Sequence, residues 1–182
     1  MIESLTVYVL AAILAWTRPH PSAAEVDRLT GIAQDIAAVS LSEEPLFKSD
    51  ESRAKTAILL ASVARYESDF APWVDAGLCN DLEWRRSAEG KAVHRGSDCD
   101  GGHAFSLWQI HAGQAGQALI ADRQAAIREA VARMRVSLDA GRGLCWYTGE
   151  TGDCPKAELR LRTAQVWSLG HPFTATATAG VD

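Results

Sequence analysis

Basic charge is in short supply in this chain. Lys and Arg number 18 against 23 Asp and Glu, a formal net charge of -5 with a pI near 5.5. Proteins that work by neutralising phosphates carry a basic face, so nucleic acid is not an expected partner. Long hydrophobic runs are also missing. The apolar stretch from Val7 to Trp16 is too short to span a bilayer, and no integral membrane span is expected. Glu3 precedes that stretch and no Lys or Arg does, so it lacks the charged start of an export signal. It reads instead as the first helix of a folded domain, broken by Pro19 and Pro21. There is no internal repeat and no low-complexity segment.

Tight metal-binding spacing is absent as well. Cys79, His94, Asp98, Cys99, Asp100, His103 and His111 gather ligand types in one stretch, but none forms a Cys-x-x-Cys pattern. Asp98-Cys99-Asp100-Gly101-Gly102 is reminiscent of a calcium loop without its twelfth-position Glu. Solvated turn residues are the expectation, and neither metal nor cofactor is assigned. A nucleophilic Cys99-His103 pair is close only in sequence, which is not what such sites require.

What is present is an ordinary globular composition, 47% hydrophobic and 23% charged over 182 residues, enough for one domain. The predicted division is a single domain over 1–173, with an N-terminal helical part at 1–50, a core at 51–173 and a loose tail at 174–182. Four cysteines, Cys79, Cys99, Cys145 and Cys154, form two local couples that can close as disulfides in an oxidising compartment. Four cysteines allow three pairings, and reduced buried thiols are the alternative.

Helical periodicity dominates. Ser22-Ala23-Ala24-Glu25 reads as a capping box opening a helix to about Ser40, with Val26, Leu29, Ala33, Ile36 and Ala37 on its apolar face. Pro45 and charged residues make Ser42 to Ser52 a loop. Thr56 to Tyr66 is apolar on nearly every side, the pattern of a central buried helix. Phe70 to His103 loses its period and reads as an irregular lobe with room for a short hairpin. Asp122 caps an amphipathic helix carrying Ile127, Val131, Met134 and Leu138, stopped near Gly141. Pro155 opens a last helix through Leu159, Val166 and Trp167. The fold class is therefore mainly α.

Glu67 is the sharpest chemical feature. It ends the apolar helix and shares a face with Ala57, Leu60, Ala61 and Ala64, so its carboxyl is expected to point inward. A carboxyl in apolar surroundings resists ionisation and can donate a proton near neutral pH. The plainer alternative is an ion pair with Arg65 or Lys55 at the helix end.

Glu67-Ser68, followed some forty residues later by Ser106-Leu107-Trp108-Gln109-Ile110, resembles the lytic transglycosylases and goose-type lysozymes. These carry a Glu-Ser pair and a Gly-Leu-Met-Gln-Ile segment lining a glycan groove. The resemblance covers roughly Thr56 to Gly149. It implies a lysozyme-like fold of helices around a buried central helix, with a small irregular or short β lobe and a groove between. It implies Glu67 as the catalytic acid, with Ser68, Ser106, Trp108 and Gln109 on the substrate side. Ser106 and Trp108 depart from the family's Gly and Met. Trp108 is expected either to stack on a sugar or to sit in the core. Trp146-Tyr147-Thr148-Gly149 is the nearest candidate for the family's Tyr-Asn-x-Gly turn, which makes Tyr147 a candidate site residue.

The implied substrate is peptidoglycan glycan, cleaved at the MurNAc-GlcNAc β-1,4 bond. With a single acid, the implied reaction leaves a 1,6-anhydro sugar. A hydrolytic muramidase needs a second carboxylate, for which Asp69, Asp75, Asp81, Asp98 and Asp100 are candidates. A non-catalytic glycan-binding part of a phage or secretion apparatus is the third reading. The acidic charge gives no long-range attraction to an anionic wall, which points to delivery by a larger assembly and to a periplasmic, virion-associated or extracellular location.

Overall fold

The computed structural model describes residues 1–17, 20–49, 51–93 and 99–174. Pro19, His94, Asp98 and all but the first residue of the expected tail lie outside them. The chain is mainly helical, as the periodicity predicts.

Five long helices make up the body: α1 (Ile2–Trp16), α2 (Ala23–Ser42), α3 (Ser52–Ser68), α4 (Arg123–Asp139) and α5 (Pro155–Gly170). At the start of α2 the hydroxyl of Ser22 accepts the Glu25 N–H at 3.2 Å. Glu25 does not reach back to complete the capping box. Its carboxylate turns to Arg28 one turn on, at 2.6 Å. Asp122 accepts the Ala125 N–H at 2.9 Å and starts α4, and Gly141 takes the left-handed backbone, φ 71, just beyond its end. Leu29, Ala33, Ile36 and Ala37 of α2 and Ile127, Val131 and Met134 of α4 are buried, while Val26 and Leu138 are only partly so.

α3 is the central helix. Ala57 through Ala61, Val63 and Ala64 are fully buried, and α1, α2, α4 and α5 all pack against it. Its many alanines let neighbouring backbones approach on several sides at once. The first helices are thus part of the same core, with Leu5, Val9, Ala12 and Ile13 of α1 buried. No described helix is long and apolar enough to cross a membrane.

α5 is the last helix that Pro155 was expected to open, and it buries its small residues. Leu159 and Val166 are exposed, and Ala157, Arg160 and Ala164 are the buried residues. α5 lies on α3, where small residues fit closely, and the arginine turns inward because its partner is there.

The stretch from Phe70 to His103 is more helical than its sequence suggests. It holds short helices at Pro72–Asp75, Leu82–Arg86 and Ala88–Val93 and a single tight turn at Leu78–Asn80. Capping explains one of them, since the Asp81 carboxylate accepts the Glu83 and Trp84 N–H groups. The hairpin falls just beyond this stretch. β1 (Ala104–Phe105) pairs antiparallel with β2 (Ile110–His111), Phe105 opposite Ile110. The Phe105 ring lies against Gly116, where any side chain would collide with it.

Both local cysteine couples are joined. Cys79–Cys99 has its Cα atoms 5.8 Å apart and Cys145–Cys154 5.5 Å. Closing loops of these lengths contributes roughly 3 kcal/mol each by restricting the unfolded chain. Charge also fastens the lobe: Asp75 is held by Arg28 of α2 at 3.0 Å and by Arg123 of α4 at 3.1 Å.

Candidate active site

α3 ends abruptly because Asp69 and Phe70 both adopt left-handed backbone, φ 52 each. That ending leaves Glu67 in the last turn, its side chain 20% exposed. Neither expected partner takes it. Arg65 pairs with Asp69, and Lys55 bonds the Ser49 hydroxyl at 3.2 Å. The partner is Arg160 of α5, whose Nε and Nη2 reach Glu67 Oε1 at 3.0 and 2.8 Å.

Burial raises the Glu67 pKa above its ordinary value, against the opposing pull of Arg160 and of Lys156. The negative charge of Asp100 adds to the rise. Burial wins, so the carboxyl holds its proton to higher pH than an exposed glutamate.

The segment Ser106 to Gln109 forms the hairpin turn, closed by the Gln109 N–H to the Ser106 carbonyl at 3.1 Å. Ser106 and Gln109 are both left-handed, φ 62 and 48. Left-handed backbone is uncommon for residues other than Gly, so both positions are held by the surrounding turn. Here Ser106 is buried, and its hydroxyl accepts the Trp108 N–H at 3.4 Å. Gln109 is partly exposed, its amide donating to the Ser106 carbonyl at 3.0 Å and to the Cys99 sulfur at 3.4 Å.

Trp108 is a core residue here, not a sugar platform. It is fully buried, with Nε1 donating to the Leu60 carbonyl of α3 at 3.0 Å. Ser68 is likewise turned into the fold, its hydroxyl spent on the Ala64 carbonyl at 2.9 Å. These two side chains fix the helix end and the turn, and offer no group outward.

Tyr147 is drawn to the same place. Its hydroxyl donates to the Trp108 carbonyl at 2.7 Å. Burial, and then the charge of Glu67, push its pKa well above the ordinary phenol value, so it stays neutral. Tyr147 sits in the loop closed by Cys145–Cys154. Within that loop Glu150 accepts the Thr148 hydroxyl and the Lys156 and Ala157 N–H groups, capping the start of α5. Trp146, its neighbour, is 54% exposed.

The candidate second carboxylates separate clearly. Asp69 is exposed and tied to Arg65, Asp75 is locked between two arginines, Asp81 caps a helix, and Asp98 lies outside the described residues. Asp100 is felt at Glu67 and is paired with His111 Nε2 at 2.8 Å. The metal reading loses Cys79 and Cys99 to their disulfide, and a Cys99-His103 nucleophile is ruled out by the same bond. Among the described residues no group of three His, Cys, Asp or Glu converges on a common point.

A cavity of about 330 Å3 opens beside Ser106 and Leu107, walled by Asp35, Asp75 and Arg123; Glu67 does not line it. Sequence reasoning missed Arg160 and Lys156. The available signal was the spacing Ala157, Arg160, Ala164, an arginine between two small residues on one helix face. No protein-family model, curated protein or solved structure matches the chain, so a functional assignment rests on its own residues.

Proposed function

We propose that the chain is a peptidoglycan-cleaving enzyme of lysozyme-like fold, acting on the MurNAc-GlcNAc β-1,4 bond as a lytic transglycosylase. The observation that carries this is Glu67: a carboxyl at the end of a fully packed central helix, kept partly open to solvent, with its pKa raised by burial. Tyr147 supports it, because its phenol is held on the hairpin turn and feels the charge of Glu67.

In this mechanism protonated Glu67 gives its proton to the glycosidic oxygen as the bond from C1 of MurNAc breaks. The carboxylate then takes the proton of the MurNAc C6 hydroxyl while that oxygen bonds to C1. The product is a 1,6-anhydro sugar, no water is consumed, and Glu67 regains its proton. Two disulfides fit an oxidising compartment, and delivery to the periplasm or within a virion or secretion assembly belongs to the same proposal.

One observation favours a second reading. Asp100 lies where its charge reaches Glu67 and bonds His111, so a hydrolytic muramidase would use Asp100 to direct water.

The pH dependence tests the assignment. Glu67 acts first as an acid, so kcat/KM on purified sacculi should fall as pH rises through its raised pKa. The alkaline limb should therefore lie above the ordinary carboxyl value of 4.5. The stability sign is the same: a neutral Glu67 favours the fold, and that contribution disappears as pH rises through the same pKa. An activity with no alkaline limb assignable to a carboxyl would remove Glu67 from the acid role.

A further inference from the structure

We propose that Arg160 is a positioning residue for Glu67: its Nε–H donates to Oε1 and its Nη2 pairs with the same oxygen, which leaves Oε2 as the oxygen that carries and delivers the proton. The inference rests on Glu67 being the acid proposed above.

The geometry is one-sided. Nε at 3.0 Å and Nη2 at 2.8 Å both address Oε1. Among the described residues no hydrogen bond reaches Oε2. A guanidinium usually spreads across both carboxylate oxygens, since its fork matches them. Converging on one oxygen instead leaves the second oxygen for chemistry.

Arg160 can do this because it is itself held rigidly. Its side chain is 7% exposed. Nη1 donates to the Lys156 carbonyl at 2.7 Å, and the Arg160 carbonyl accepts the buried Ser62 hydroxyl of α3 at 2.9 Å. The guanidinium lies 5.6 Å from the Tyr66 ring centre, and Tyr66 in turn bonds Thr163 of α5 at 2.9 Å. The start of α5 is set by Pro155 and by the Glu150 carboxylate. A line of fixed contacts thus runs from the Cys145–Cys154 loop through α5 to the reacting carboxyl.

The charges around Glu67 decide what Arg160 does there. Lys156 stands with it on α5, Asp100 opposes both from the turn after Cys99, and the neutral Tyr147 phenol comes from the loop. Arg133 of α4 acts on Tyr147, and Arg65 on α3 is engaged by Asp69. Burial and Asp100 favour the protonated acid, while Arg160 favours the carboxylate left after proton transfer. Its buried guanidinium stabilises that developing charge without touching the sugar.

The experiment is a carbon-detected NMR titration of the Glu67 carboxyl in the full chain, assigned with Glu67→Gln, in wild type, Arg160→Met and Arg160→Lys. Arg160→Met should move the midpoint upward by about one pH unit, roughly tenfold in the protonation equilibrium. Arg160→Lys, which keeps charge but loses the Nε hydrogen bond, should move it up by less. If the Met variant does not fold, the Lys variant carries the test. With sacculi, the alkaline limb should shift upward in parallel and the loss should fall on kcat with KM little changed. A purely structural arginine would lower the melting temperature and shift the midpoint, but leave kcat of the folded variants unchanged. A folded variant titrating at the wild-type midpoint overturns the proposal. An inactive wild type with a displaced midpoint overturns the enzymatic reading instead, so the two failures are distinguishable.

Discussion

Glu67→Gln should abolish clearing of a cell-wall suspension, with a loss of about 10^2 to 10^4-fold, the usual contribution of a positioned proton donor. The substitution keeps the volume and retains a carbonyl oxygen for Arg160, while removing the transferable proton. Because Gln is neutral like the protonated acid and keeps that acceptor, stability should change by no more than about 1 kcal/mol. Both readouts are needed. If Glu67 only balances the buried arginine, the melting temperature falls and turnover, corrected for folded fraction, does not. If Glu67 is the acid, turnover is lost from protein that is still folded at the assay temperature. Clearing by the Gln variant at the wild-type rate would sink the acid assignment.

Trp108→Ala should cost about 3–5 kcal/mol of stability, because it empties a large fully buried volume. It also removes the Nε1 donor to Leu60 and the packing that holds the hairpin turn on α3. Trp108→Phe should fall between, keeping part of the packing and losing the hydrogen bond. Urea denaturation measures both. A tryptophan that stacked on sugar would behave differently, raising KM and leaving stability nearly untouched. Activity in the folded Phe variant should be reduced through the turn and through Tyr147, whose hydroxyl bonds the Trp108 carbonyl.

The helices were legible because their cues are local. Ser22, Asp122 and Pro155 stand at the starts they predict, and the all-round apolar stretch before Glu67 is the central helix. The buried face of α5 was not legible, because burial there follows a charge and not an apolar stripe. On α5, Leu159 and Val166 face solvent while Arg160 turns inward to Glu67, 93 positions away in sequence. No local pattern encodes a partner at that distance. The lobe misled for another reason, since short helices capped by residues such as Asp81 are too brief to show a period. In the site, Glu67 was visible because a carboxyl interrupts an apolar run. Trp108 was not decidable, because a tryptophan beside a turn suits a groove or a core equally well. Asp100 became distinct from the other acids only when its pairing with His111 and its charge at Glu67 were seen together.

Mass spectrometry of the products released from purified sacculi tests the central claim most directly. A Glu67-driven lytic transglycosylase releases muropeptides ending in 1,6-anhydroMurNAc, each one water lighter than its hydrolytic counterpart. Sacculi that yield no soluble muropeptides from folded, disulfide-bonded protein would contradict the account.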